Sequence, residues 1–194
     1  MPTEEPRTLP PEVRRVQILD AAAAVLTERG ARATTVDRVA EVAGVAKGTV
    51  YLHFESKDAL FGALRSRYDE DLLSAAAEEL AATGSPRHRL EAFLRRALAL
   101  HRRRAELHHV LFHEVGGSED ASMGRFRILF AGFVEDCVRA GDFDVDDVEI
   151  AAGLLLHGLH GMVVEFLHAE RSDEDAAIAA TVSLLMEGLS GSAR

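Results

Sequence analysis

The sequence predicts an all-α chain, a small N-terminal helical domain followed by a larger helical C-terminal one. Three observations carry that prediction. Apolar residues recur at i, i+3, i+4 and i+7 through most of the 194 residues, and no stretch alternates as a strand would. Glycine and proline punctuate the periodic segments at Gly30, Gly44, Gly84, Pro86, Gly116, Gly117 and Gly141, where helices stop or start. A hydrophobic content of 47% with mean hydropathy near zero is ample for a core. No apolar run reaches about 18 residues, so no bilayer-spanning segment is expected.

Residues 1–11 are proline-rich and charged, a disordered arm rather than a signal peptide. A first helix begins at Pro11, buries Ile18, Leu19, Ala22, Val25 and Leu26, and is ended by Gly30. The stretch from Thr34 to Lys57 then reads as two short helices around a tight turn. Val36, Val39, Ala40 and Ala43 form one buried stripe, with Thr34 as its cap and Asp37 near the positive helix end. Gly44 closes that helix, and Val45, Thr49, Val50 and Phe54 stripe the next. The product is a helix-turn-helix over about residues 35–54. Ser56 caps a long helix reaching about Ala82, with Leu60, Phe61, Leu64, Leu72 and Leu73 inward.

Another helix is marked by Leu90, Phe93, Leu94, Ala97 and Leu98 and ends near Arg102, Arg103 and Arg104, which complement its negative end or stay solvated. A short one comes next around Leu107, Val110 and Leu111, then one over about 120–140, and a last pair over about 146–169 and 173–189. That pair is too apolar for the surface of an isolated chain, so a second copy is expected to cover it. Leu154, Gly158, Gly161, Met162, Val182 and Leu185 are the candidate contacts.

Between the buried Val50 and Phe54, the second short helix turns Lys47, Gly48, Thr49, Tyr51 and His53 outward. A cation, a bare backbone, a hydroxyl, a phenol and an imidazole suit phosphate oxygens and base edges. An ordinary helical hairpin with a solvated face would show the same pattern. The residues Ile18, Leu19, Ala22, Leu26 and Gly30, then TTV, VA, AGVAKGTVYLHF and SKDAL, resemble the signature of the TetR family of transcriptional regulators over about residues 12–72. The resemblance implies DNA contacts from Thr35, Lys47, Gly48, Thr49, Tyr51, His53 and Lys57, and Thr34 is added to these as a neighbour. Ala46 stands where the family often has serine. Leu52 stands where an aromatic is frequent, and a leucine there can touch a thymine methyl.

The same resemblance implies a DNA-binding domain over 12–72 and an effector-binding and dimerisation domain over 73–194. The expected protein is a homodimeric repressor on a palindromic operator in double-stranded DNA, released by a small-molecule effector and acting in the cytoplasm. Phe93, Phe112, Phe126, Phe130 and Phe133 are the aromatic candidates for the effector pocket, with His109, His113 and His157 as polar partners. Charge agrees with this division. The chain carries a net charge of −10, yet residues 1–57 hold eight basic and eight acidic side chains, so all the excess acid lies beyond them.

Eight of the nine histidines also lie beyond residue 57, and they offer a second reading. Glu106-x-x-His109 and Glu165-x-x-His168 each match the pattern that helical di-iron proteins use twice, with Glu91 and Glu135 available from other helices. A metal- or ligand-binding helical protein is the alternative function, and His109, His113 and His157 a possible regulatory metal set. No protease, hydrolase or nucleotide-binding signature is present, so no enzyme, cofactor or resident metal is expected. The lone Cys137 forbids an internal disulfide and reads as a small core residue.

Overall fold

The computed structural model describes residues 9–111, 115, 120–168 and 173–189. Every regular element among them is a helix. In chain order these are α1 (Pro11–Ala33), α2 (Val36–Val42), α3 (Lys47–His53), α4 (Lys57–Ala81), α5 (Pro86–Arg103), α6 (Ala105–His109), α7 (Asp120–Ala140), α8 (Val148–His168) and α9 (Glu174–Leu189). The described residues divide into two compact units, one drawn from Met1–Arg67 and Glu106–Gly117, the other from Tyr68–Ala105 and Ser118–Arg194.

In the first unit α1 packs on α2, and α2 on α3. Ile18, Ala22, Val25 and Leu26 of α1 are buried in its core, as are Val36, Val39, Ala40, Val50 and Phe54, and Leu60, Phe61 and Leu64 from the start of α4. Full burial of each larger side chain contributes about 1.5–3 kcal/mol. Gly30, at φ 73 and ψ 172, kinks α1 but does not end it, because a further turn runs to Ala33. That extra turn displaces the expected cap by one residue. Thr35 has the extended backbone of a cap, and its hydroxyl accepts from the Arg38 amide at 3.2 Å. Thr34 is buried instead, donating its hydroxyl to the Gly30 carbonyl at 2.7 Å.

In the second unit α7 lies against α8, α5 against α8 and α9, and α8 against α9. Leu90, Leu94, Leu98, Phe130, Val134, Leu155, Leu159 and Ile178 are central to its core. Side-chain caps start three of these helices: Ser85 accepts from His88 N at 3.3 Å, Asp147 from Ile150 N at 3.0 Å, and Asp173 from Ala176 N at 3.2 Å. Cys137 sits in this core, and burial pushes its thiol up to about 11, far from the thiolate that redox sensing needs. Arg102 pairs with Glu174 and Arg104 with Asp71, so the arginine run serves ion pairs within the unit.

One expectation is corrected here. By length and composition alone Val148–Phe166 of α8 could cross a bilayer. The histidines and glycines inside it hide that length from a search for unbroken apolar runs. Its packing against α5, α7 and α9 makes it a core helix of this unit.

Two glycines in the first unit separate backbone strain from space. A Cβ at Gly44 or at Gly48 would meet nothing within 4 Å, but only Gly44 has positive φ, at +65°. Gly44→Ala should therefore cost about 1–2 kcal/mol of stability from the left-handed backbone. Gly48→Ala, inside a helix, should gain about 0.5–1 kcal/mol. Urea denaturation of the two variants beside the parent checks both signs.

Candidate nucleic-acid interface

The helix-turn-helix is closed by backbone bonds that its sequence makes cheap. After Val42 the chain turns through Gly44, whose amide donates to the Glu41 carbonyl at 3.1 Å while the Val45 amide reaches the Ala40 carbonyl at 2.9 Å. Two side chains of α1 then hold α3 in place. Gln17 Nε2 donates to the Ala43 carbonyl at 2.8 Å, fixing the turn before it. Arg15 donates to the His53 carbonyl at 3.2 Å and lies 4.3 Å from the centre of the Phe54 ring, fixing its far end. Ser56 accepts from the Ala59 amide at 3.0 Å and starts α4 as expected.

With α3 held this way, Val50 is its one buried residue and an edge is left facing outward. Lys47, Gly48, Tyr51 and Leu52 are exposed there, Thr49 and His53 are half-buried, and Thr35 is exposed at the start of α2. Lys47 Nζ lies 2.8 Å from Asp37 Oδ2, and that hydrogen bond, then the carboxylate's charge, raises the lysine pKa. Asp37 thus meets a side-chain partner on the neighbouring helix.

Two candidates stand apart from this edge. Thr34, at 1% exposure, is a packing residue with no face for a ligand. Lys57 donates to the Ala31 carbonyl at 2.7 Å, and its ammonium lies 5.2 Å from the centre of the Phe61 ring. Its charge serves the carbonyl end of α1. Arg15 and Gln17 were not foreseen as anchors, and their own helical positions carry no signal for it, since their partners are backbone carbonyls distant in sequence.

In the second unit Phe93 and Phe130 meet edge to face at 5.7 Å, and Phe133 meets Phe143 at 6.0 Å. Phe126 packs partly buried against the same core. Phe112 and His113 lie outside the described residues. His109 is exposed and belongs to the first unit, while His157 is exposed on α8 of the second. A buried polar pair was missed: Tyr68 and His101 meet edge to face at 5.6 Å, with His101 Nδ1 2.8 Å from the Ala97 carbonyl. The periodicity contained it, because His101 continues the buried stripe of Leu90, Leu94 and Ala97.

Of the candidate interface residues, Leu154 is 63% exposed and Gly161 is exposed, while Gly158 and Leu185 are partly covered by one another. Met162 and Val182 are corrected. Both are buried in the core of their own chain, on the opposite side of two helices apolar nearly all round. Ile150 at 63% and Leu184 at 71% exposure take their place on the outer side. No three His, Cys, Asp or Glu side chains gather among the described residues as a metal ion would require.

A helical head that turns the edge of α3 outward, followed in the chain by a second helical unit, is the arrangement of helix-turn-helix DNA-binding proteins. Residues 18–64 match the model of the bacterial regulatory proteins of the tetR family. The chain is 33% identical over 149 residues to the HTH-type transcriptional repressor KstR2 of Rhodococcus jostii, covering 71% of this chain and 72% of that one. It is 31% identical over 175 residues to the repressor BepR of Brucella suis, covering 81% and 82%. Among solved structures, FadR of Bacillus subtilis in complex with stearoyl-CoA shares the fold with a TM-score of 0.72, at 21% identity, over 90% of this chain and 98% of that one. The chain belongs to the tetR family and is a DNA-binding transcriptional regulator.

His101 makes the second unit sensitive to acid. Burial lowers its pKa, the bond to the Ala97 carbonyl opposes this, and His160 adds to the lowering. An unfolded chain then binds the proton first, near 6.5, so stability is intact above that pH and falls as pH drops towards the folded value. Thermal melting from pH 7.5 down to 5 should show this fall, and His101→Phe, which keeps the ring contact with Tyr68, should make it shallower.

Proposed function

We propose that this chain is a homodimeric repressor that docks α3 of each protomer in successive major grooves of a palindromic operator and leaves it when a small molecule binds the helical body. The observation that carries the reading is the outward edge of α3, held by α1 through the turn before it and through its last residue. Its DNA set is Thr35, Lys47, Gly48, Thr49, Tyr51 and His53, with residues 12–72 as the DNA-binding domain and 73–194 as the effector and dimerisation domain. Repression, rather than activation, is supported by the repressor names of KstR2 and BepR.

Dimerisation is supported by Ile150, Leu154, Gly161 and Leu184, apolar or bare positions exposed on α8 and α9. A second copy removes that surface from water and supplies the two-fold axis that a palindrome mirrors. For the effector, the stearoyl-CoA held by the FadR neighbour supports a ligand with a long apolar portion. Phe93, Phe126, Phe130 and Phe133 supply apolar surface for it in the body unit, and Tyr68 with His101 a polar end. Binding shifts the operator-competent population only by the difference in its affinity for the two arrangements. The single helix α4 begins in the first unit and ends in the second, and it is the covalent route for that shift. One cytoplasmic compartment would hold protein, operator and effector together.

Footprinting on genomic fragments tests the operator, and a protected palindrome lost on adding long-chain acyl-CoA is the expected outcome. Protection without symmetry would remove the dimeric docking. Lys47→Ala should weaken binding to all duplexes by a similar factor and reduce the magnitude of the salt slope by about one. A change confined to one sequence would contradict its role on phosphate. Leu154→Asp combined with Leu184→Asp should sediment as a monomer and fail to protect both half-sites.

A further inference from the structure

Leu52 is 86% exposed, the highest value among the large apolar side chains described. Packing therefore does not account for a leucine at this place. It lies on α3 one turn after Gly48, and residues four apart share a helix face. A Cβ at Gly48 would meet nothing within 4 Å. That edge thus presents bare backbone followed by a branched apolar side chain, with exposed Tyr51 adjacent to it in the chain and the Lys47–Asp37 pair at the start of the helix.

A leucine has no donor or acceptor to offer a base. Within the major groove the apolar group that base pairs present is the C5-methyl of thymine. The missing side chain at Gly48 lets the helix backbone come close to the duplex, and that approach brings Leu52 down to the base edges. We infer that Leu52 is a specificity-determining residue that reads a thymine methyl in each half-site. The inference rests on the proposed docking of α3 in the major groove.

The test begins with sites selected from a random duplex library by the full-length protein. Each thymine of the selected half-site is then replaced in turn by deoxyuridine, which lacks only the methyl. At one position in each half-site the wild type should lose about fourfold in affinity, the factor that corresponds to burying one methyl-sized group. Leu52→Ala should lose nothing there while keeping the parent's melting temperature, since the side chain is exposed. At the same position, a pair containing 5-methylcytosine should bind the wild type more tightly than one containing cytosine, and the variant equally. Indifference of the wild type to uridine at every position overturns the assignment, as does an unchanged uridine penalty in Leu52→Ala, and in both cases docking of α3 still stands. A wild type that selects no sequence at all overturns the docking and the assignment together.

Discussion

The grip of α1 on α3 is the constraint on which the rest of the head depends. A seven-residue helix with one buried side chain does not hold its shape in water by itself. It persists because Gln17 bonds the turn before it and Arg15 bonds the carbonyl at its end. Both donors come from one rigid helix, so the outward edge is aimed as well as formed. Preorganisation of this kind removes an ordering cost that binding would otherwise meet. Thr34 and Lys57 belong to the same support. Each satisfies a carbonyl in the last turns of α1, around the kink at Gly30.

The body is arranged on a different principle. Two of its helices, α8 and α9, are apolar over so much of their surface that burial alone does not choose which face turns inward. α8 buries Leu155, Leu159 and Val163 against its neighbours and still shows Ile150 and Leu154 to solvent. Into this apolar interior the chain places few polar groups, and His101 and Tyr68 are two of them. Burial holds the tyrosine proton above its ordinary pKa and the histidine below its own, so both rings stay neutral at neutral pH.

Much of this was legible in the sequence, for reasons that differ between the two units. In the head the apolar stripes are narrow, and Ile18, Ala22, Leu26, Val39 and Val50 are all buried as their spacing requires. Helix ends in the body track their glycines and capping aspartates to within about two residues. What stayed hidden depends on partners far apart in the chain. Two adjacent threonines can each cap a helix, and the extra turn after Gly30 decides between them. Lys57 sits at the start of α4 beside a family motif, and only the fold shows it reaching Ala31. Met162 and Val182 fall on the other side from the one expected because a helix apolar nearly all round carries no periodic signal for its faces. The anchoring by Arg15 and Gln17 left no trace in composition or spacing.

The pairing of Asp37 with Lys47 bears on how the regulator searches a genome. Residues 1–57 balance eight cations against eight anions, and the one lysine within α3 already holds a carboxylate at 2.8 Å. Such a head generates little long-range pull towards a polyanion, and a body with a net excess of acid repels it. Such a charge balance favours short residence on arbitrary duplex over long retention there. Retention then falls to contacts made at the base edges, so that discrimination grows as indiscriminate adhesion shrinks.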